Sequence, residues 1–423
     1  MREMKDSGIE WIGEIPKHWE ITKIGMLYNL RITKVSDTDY LPLSVTKMGV
    51  LPQLETVAKT NAHDDRKLVK KGDFVINSRS DRRGSCGISN YNGSVSLINT
   101  VLEPKNNMNL GYYSWLFKTV QFADEFYKNG HGIVDDLWTT GWQDMKRIVL
   151  PVPQHSEQQQ ITDFLDTKCS EIDATAEDIQ KEISLLEDYK KSVITEAVTK
   201  GLNPDAEMKD SGIEWIGEIP KDWNFCKVKN STSFVGSGTT PTSSNQDFYD
   251  GDINWIQSGD LYKTVVVDTV EKKLTEKALK SFSALHIYQA PFIIMAMYGA
   301  SVGNTAFSKI DACCNQACCC IKNNEFFDLK FMYYWLDFAK IDFLGRAIGG
   351  TQPNISQDKI KNQYIVKPSL EEQQQIAKFL DTKCSEIDTL IADKKRQLDI
   401  LADYKKSLIY EYVTGKKEVP VNE

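Results

Sequence analysis

Between residues 371 and 408, apolar side chains fall at Ile376, Leu380, Ile387, Ile391, Leu398, Leu401 and Leu408, with spacings of 4, 7, 4, 7, 3 and 7. Such spacings keep one stripe of a helix apolar, so the pattern predicts a long helix with a heptad seam. The same lattice occurs earlier, at Ile161, Leu165, Ile172, Ala176, Ile183, Leu186 and Val193. Ser156-Glu157-Gln158-Gln159 and Ser369-Leu370-Glu371-Glu372 fit the S/T-x-x-E/Q capping box at the two N-termini, each after a proline, and Gly201 and Pro204 stop the first helix. A helix of about 44 residues is roughly 66 Å long, so its apolar stripe needs another helix to cover it. The obvious partner is its own repeat.

Elsewhere the hydrophobic period is shorter. Residues 73–77 and 291–297 read as strands bounded by Gly-containing turns, and residues 109–128 and 328–347 as one aromatic-rich amphipathic helix each. A small-residue or polar loop follows each helix, at 130–143 and 349–357, and then a strand-like run leads into the long helix.

The chain is internally duplicated. EMKDSGIEWIGEIPK occupies residues 3–17 and again 207–221, and residues 157–192 match 372–407 at 22 of 36 positions, whereas the segments that follow the two tags share almost nothing. The order is tag, variable segment and long helix, twice over. It divides the chain into a first domain with its tag (1–156), a central long helix (157–201), a second domain with its tag (202–370) and a C-terminal long helix and tail (371–423). The class is α+β.

Charge follows the same division. The net charge of −8 would ordinarily argue against a polyanionic partner, but residues 157–201 hold 5 basic against 11 acidic side chains, while residues 18–156 hold 17 against 14 and 222–370 hold 15 against 14. Nucleic acid would therefore meet the variable segments and be repelled by the rods. No run approaches the eighteen or more apolar residues of a membrane span, and the charged start lacks a signal-peptide core, so a cytoplasmic protein without membrane association is expected. Nine cysteines, crowded at Cys313-Cys314 and Cys318-Cys319-Cys320, suit free thiols in a reducing compartment; with no CxxC among them, no metal site is expected. Catalytic motifs are missing. GSGTTPT lacks the Gly-Lys-Ser/Thr of a phosphate loop, Asn-Pro-Pro-Tyr and Asp-Pro-Pro-Tyr do not occur, and the five histidines form no spaced pair.

GIEWIGEIPKxW (8–19 and 212–223), GSGTTPTSSNQDFYDGDINWIQSGDL (236–261), MAMYGASVG (295–303), NQAC (315–318), GGTQPNIS (349–356) and EEQQQIAKFLDTK (371–383) together resemble the specificity subunit of type I restriction–modification enzymes. The first variable segment departs from that pattern, with SVTKMGVLPQ (44–53) and INSRSDRRGS (76–85) where the second has its GSGTTP- and MYGAS-type stretches. The resemblance implies a non-catalytic reader of double-stranded DNA for host defence, with one target-recognition domain per half of a bipartite sequence. It also implies two long antiparallel coiled-coil helices between the domains, under pseudo-twofold symmetry. Two adenine methyltransferase subunits and helicase-like restriction subunits would dock on it. Those partners would carry S-adenosylmethionine, ATP and Mg, and this chain no cofactor. The alternative from a different class is a coiled-coil scaffold whose duplicated domains bind protein or another ligand.

DNA reading needs Lys and Arg on phosphates, and Arg, Asn, Gln, Ser or Thr at base edges. In the first domain the densest candidate is KLVKKGDFVINSRSDRRGS (67–85), with Lys70 and Lys71 for phosphate, Ser78, and Arg79, Arg82 or Arg83 for bases. A solvated turn with its charges paired to Asp73 and Asp81 is the competing reading. Thr139 and Thr140 are candidates in the following loop, where Trp138 and Trp142 suit either the groove or the core. In the second domain the candidates are Ser237, Thr239 and Thr240 between glycines that would let backbone approach phosphate, with Tyr298, Ser301, Asn304, Thr351, Gln352 and Asn354. Recurrence of these stretches among relatives that read different sequences implies service to fold and phosphate contact more than to specificity.

Overall fold

A computed structural model describes residues 2–53, 65–79, 82–105, 108–132, 138–262, 265–345 and 354–420. Two units emerge, residues 1–180 with 394–423 and residues 181–393. Each holds one tag, one variable domain, the start of one long helix and the end of the other.

The heptad stretches are helices at His155–Lys200 and Leu370–Val413. The second shows one half of its expected capping box, the Ser369 hydroxyl accepting the Glu372 N–H (3.2 Å), while the Glu372 carboxylate turns to the Trp223 indole instead of back to Ser369. The first begins earlier than expected, which puts Ser156 inside its first turn. There Gln158 closes the end: its N–H donates to the Gln154 carbonyl and its side chain to the Pro153 carbonyl, both at 2.9 Å. Gln373 makes the equivalent side-chain bond to Pro368 (3.0 Å).

Within the first unit, Lys405 donates to Asp173 (2.5 Å) and Phe164 lies against Tyr412 (4.5 Å between ring centres), so the two helical segments run antiparallel. Within the second unit, Lys190 donates to Asp388 (2.7 Å) and Gly201 sits beside Glu372, the same arrangement. Of the predicted seam, Ile161, Leu165, Ile172, Ile183, Ile376, Leu380, Ile387, Ile391 and Leu408 are buried. Leu186, Val193, Leu398 and Leu401 are half-buried.

Each tag forms a hairpin, Met4–Asp6 with Glu14–Pro16 and Met208–Asp210 with Glu218–Pro220. Asp6 and Asp210 accept the N–H of the glycine two residues on, at 2.9 Å in both copies, which sets the turn. Ile12, Ile15 and Trp19 enter a core with Ile161, Leu408 and Val413; Ile216, Ile219 and Trp223 enter another with Ile376, Ala197 and Val198.

The variable domains share a topology despite their different sequences. The first has a sheet ordered Cys86–Ile88, Phe74–Asn77, Asn99–Pro104, Tyr28–Leu30. The second has Thr305–Ser308, Phe292–Ala296, Cys318–Asn323, Thr232–Ser237 in the same order, extended by Val266–Val267. Phe74–Asn77 and Phe292–Ala296 are buried along their whole length, so they are apolar throughout except at Asn77. A strand pair joins the two ends of each domain, Glu20–Lys23 with Val149–Val152 and Asn224–Lys227 with Tyr364–Lys367.

The single helix expected at 109–128 is two, Leu110–Phe117 and Val120–Lys128. Thr119 divides them: its extended backbone starts the second helix and its hydroxyl accepts the Phe122 N–H (3.2 Å). The single helix expected at 328–347 is likewise Leu329–Phe338 and Lys340–Gly345. That break is slight, because the bonds from Ala339 N–H to Trp335 and from Phe343 N–H to Ala339 continue the helical pattern across it.

The glycines expected to let backbone approach phosphate are closely packed where a side chain would stand. A Cβ on Gly236 would lie 2.5 Å from the Tyr288 hydroxyl, and one on Gly238 only 1.7 Å from the Cys314 carbonyl oxygen. The second neighbour is backbone and cannot swing away, so Gly238→Ala is expected to cost about 3 kcal/mol, lowering the Tm by roughly 6–12 °C; an unchanged melting curve would contradict this. The nine cysteines are free thiols, and all but the half-buried Cys226 are buried. Burial pushes Cys313 and Cys86 up to about 12, so at pH 8 they carry almost no thiolate. Alkylation of the native protein is expected to reach Cys226 first and the other eight only after denaturation. Early labelling of Cys318, Cys319 or Cys320, read by mass spectrometry, would count against this packing.

Candidate nucleic-acid interface

The charge-rich run 67–85 does not make one patch. Lys70 and Lys71 lie in the turn before Phe74–Asn77, and Ser78 and Arg79 directly after it. A four-residue strand separates the pairs by roughly 13 Å. Asp73 neutralises neither lysine side chain. It is buried and takes a two-pronged bond from Arg31, 2.7 Å from Nε and 3.0 Å from Nη2, while the Lys70 backbone N–H donates to it at 2.8 Å. Asp81 lies outside the described residues.

The three arginines differ in their surroundings, although Arg79 and Arg83 line one small pocket together. Arg83 pairs with Asp124 and lies over the Tyr127 ring, 4.8 Å from its centre. Arg82 is exposed on the turn that follows. Arg79 is exposed, its side chain has no bonding partner among the described residues, and it lines a cleft of about 390 Å³ with Ser78, Thr139, Thr140, Lys67, Ile98 and neighbouring residues. Thus Ser78, Arg79, Thr139 and Thr140, distant in sequence, meet at one concavity.

Backbone pairing brings them together. Arg79 bridges Thr139 in antiparallel fashion, and the Thr140 N–H donates to the Ser78 carbonyl (3.0 Å). Two of the four side chains are occupied by the fold: the Ser78 hydroxyl bonds Thr100 (2.9 Å), and the buried Thr140 hydroxyl donates to the Phe126 carbonyl (2.8 Å). Trp138 stacks on Tyr127 and donates to its carbonyl (2.9 Å), a packing role, whereas Trp142 borders the cleft.

The second domain repeats this scaffold with other residues. Tyr298 bridges Asn354, and the Ile355 N–H donates to the Met297 carbonyl (2.9 Å). Arg79 and Tyr298 therefore hold equivalent places after equivalent strands, as do Thr139 and Asn354. Tyr298 is 44% exposed. Ser301 and Asn304 are drawn inward: the Ser301 hydroxyl donates to the Ser258 carbonyl (2.9 Å), and Asn304 donates to the Leu261 carbonyl (3.2 Å) and accepts from Lys340 (2.6 Å). The Thr240 hydroxyl donates to Gln316 (2.7 Å), Ser237 gives its carbonyl to Tyr288 (2.9 Å), and Thr239 is half-buried between them. Thr351 and Gln352 lie outside the described residues.

Two contributors escaped the sequence reading. Lys67 enters the first cleft from the neighbouring strand, its ammonium bonded to the Asn99 carbonyl (2.7 Å); partial burial lowers its pKa. Leu97 and Ile98, 38% and 42% exposed, form an apolar lip. Their signal was two consecutive apolar residues in the short turn between the strands Gly93–Ser96 and Asn99–Pro104. Among the described residues no group of three or more His, Cys, Asp or Glu could hold a metal ion, and no helix is long and apolar enough to cross a membrane.

The family model for the type I restriction modification DNA specificity domain matches residues 16–185 and 220–399. The putative type I restriction enzyme MjaX specificity subunit of Methanocaldococcus jannaschii is 26% identical over 440 residues, which is 96% of each chain. A chain solved in work on complex assembly and conformational transition of the type I R-M system superposes with a TM-score of 0.73 at 12% identity, over 95% of this chain and 99% of that one. The HsdS subunit from Thermoanaerobacter tengcongensis gives 0.53 at 14% identity, over 95% and 98%. At those identities the superpositions speak for the fold, whereas the family match covers both halves of the duplication. The chain belongs to the type I restriction–modification DNA specificity family.

Proposed function

We infer that this chain is the DNA-reading, non-catalytic subunit of a type I restriction–modification system, each variable domain reading one part of a two-part duplex target. The observation that carries the reading is one backbone scaffold present twice, after Phe74–Asn77 and after Phe292–Ala296, presenting different side chains. Two readers of different sequences need a shared frame with exchangeable contacts. The modest basic excess of both variable segments suits phosphate contact, with Lys70 and Lys71 available at the surface.

The parts that stay identical would serve partners that bind twice: two adenine methyltransferase subunits, with helicase-like restriction subunits completing the enzyme. S-adenosylmethionine, ATP and Mg would belong to those partners. Tyr189 and Tyr404 fall at matching positions of the two long helices and remain 55% and 53% exposed, each four residues after another exposed apolar side chain, Leu185 or Ile400. Exposed aromatics of this kind are frequent anchors of protein interfaces.

The testing experiment compares adenine methylation, mapped by long-read sequencing, in cells carrying this gene with its methyltransferase and in a deletion of this gene alone. A two-part motif with a fixed gap is expected, and it should vanish in the deletion. Methylation that persists unchanged would overturn the reading. The double variant Tyr189→Ala, Tyr404→Ala should weaken capture of the methyltransferase at least about tenfold while leaving the melting temperature near that of the parent chain. Undiminished capture in a pull-down titration would remove these tyrosines from the docking surface.

A further inference from the structure

Three arginines lie close together after the strand Phe74–Asn77, and composition gives no reason to prefer one. Their surroundings do. Arg83 is held by Asp124 and Tyr127. Arg82 sits one turn away from the cleft lining. Arg79 alone of the three combines an exposed side chain, no bonding partner among the described residues, and a place in the cleft.

We propose that Arg79 is a specificity-determining residue that reads a guanine in one half of the target, with Thr139 beside it and Lys67 on the phosphate side of the same cleft. This rests on the DNA-reading function inferred above. The guanidinium can donate two parallel hydrogen bonds to guanine O6 and N7, a pairing no other base edge in the major groove offers. Its base is unusually well fixed for a residue outside regular structure. The Arg79 N–H donates to the Asn77 side chain (3.0 Å), Thr139 bridges it, and Thr140 ties the preceding carbonyl. A backbone anchored this way leaves the side chain alone to choose the base. The second domain supports the assignment from the other direction: at the equivalent position, on the same scaffold, stands Tyr298, so the frame accepts different contact chemistries.

The side chains of the cleft also explain why one arginine suffices. The Ser78 hydroxyl shares a hydrogen bond with Thr100 and the Thr140 hydroxyl donates to the Phe126 carbonyl, so both are engaged within the fold, whereas the Arg79 side chain has no such bond among the described residues. The apolar lip of Leu97 and Ile98 would exclude water from the approach, which raises the cost of an unpaired guanidinium opposite the wrong base.

The test uses the full chain assembled with its methyltransferase, with the recognised motif read by methylation sequencing and by competition binding to duplexes altered at one base pair. Arg79→Ala should make one guanine position degenerate, cutting discrimination there by roughly ten- to a hundredfold, while every other position of both halves is kept. Arg79→Tyr, which installs the residue type seen at the equivalent position, should also lose the guanine and remain folded. Arg83→Ala should leave the motif intact. An unchanged motif in both Arg79 variants, or a uniform weakening across all sequences as for a phosphate contact, would overturn the assignment. A parent complex without any sequence preference would instead overturn the functional reading on which it rests.

Discussion

A carboxylate in the first turn of each long helix holds the tag in place, and the rest of each unit is arranged around that junction. Glu157 accepts the indole N–H of Trp19 (2.7 Å), and Glu372 accepts that of Trp223 (2.9 Å). Both tryptophan rings are buried, so their N–H groups need a partner, and a charged acceptor is worth about 1.5–3 kcal/mol. The start of a helix is also where a negative charge is favoured by the helix dipole. In the first unit Arg2 adds a bond to Glu157 (2.8 Å) and another to the Gly415 carbonyl (2.6 Å), joining the tag to the end of the other helix. In the second unit Gly201, at the end of its helix, lies directly under Trp223. One residue pair thus locks a hairpin, a helix start and a helix end.

This junction gives the identity of the two tags a physical cause. Ile12, Ile15 and Trp19, and their counterparts Ile216, Ile219 and Trp223, fill equivalent cores; Asp6 and Asp210 set equivalent turns; Lys17–Glu3 and Lys221–Glu207 make the same surface pair at 2.8 Å. Surface pairs contribute little stability, so packing alone does not account for their presence in both copies. The variable domains carry no such restriction. They keep their strand order and the bridge after the central strand, and exchange nearly everything exposed around it.

Much of this frame was legible in the amino-acid sequence. The heptad spacing located both long helices, because a stripe at Ile376, Leu380 and Ile387 has no stable alternative to burial on a second helix. The two buried strands were legible because short, mostly apolar runs bounded by Gly-containing turns suit a covered sheet. What escaped depended on contacts distant in sequence. The lysine and arginine run looked like a single patch, yet the strand within it carries Lys71 and Arg79 to opposite ends. The packing demand at Gly238 comes from the Cys314 carbonyl, far along the chain. Thr119 carried a local signal, since a threonine between two apolar helical turns is a competent helix cap.

The central claim is that the frame is common and the readers are exchangeable. The most direct measurement replaces residues 222–370 by a second copy of residues 18–156 and maps adenine methylation in cells that supply the methyltransferase. The expected result is a two-part motif whose parts carry the same recognised sequence, taken from one half of the parental target. A chimaera that assembles with the methyltransferase yet methylates the parental motif, or shows no sequence preference, would contradict it.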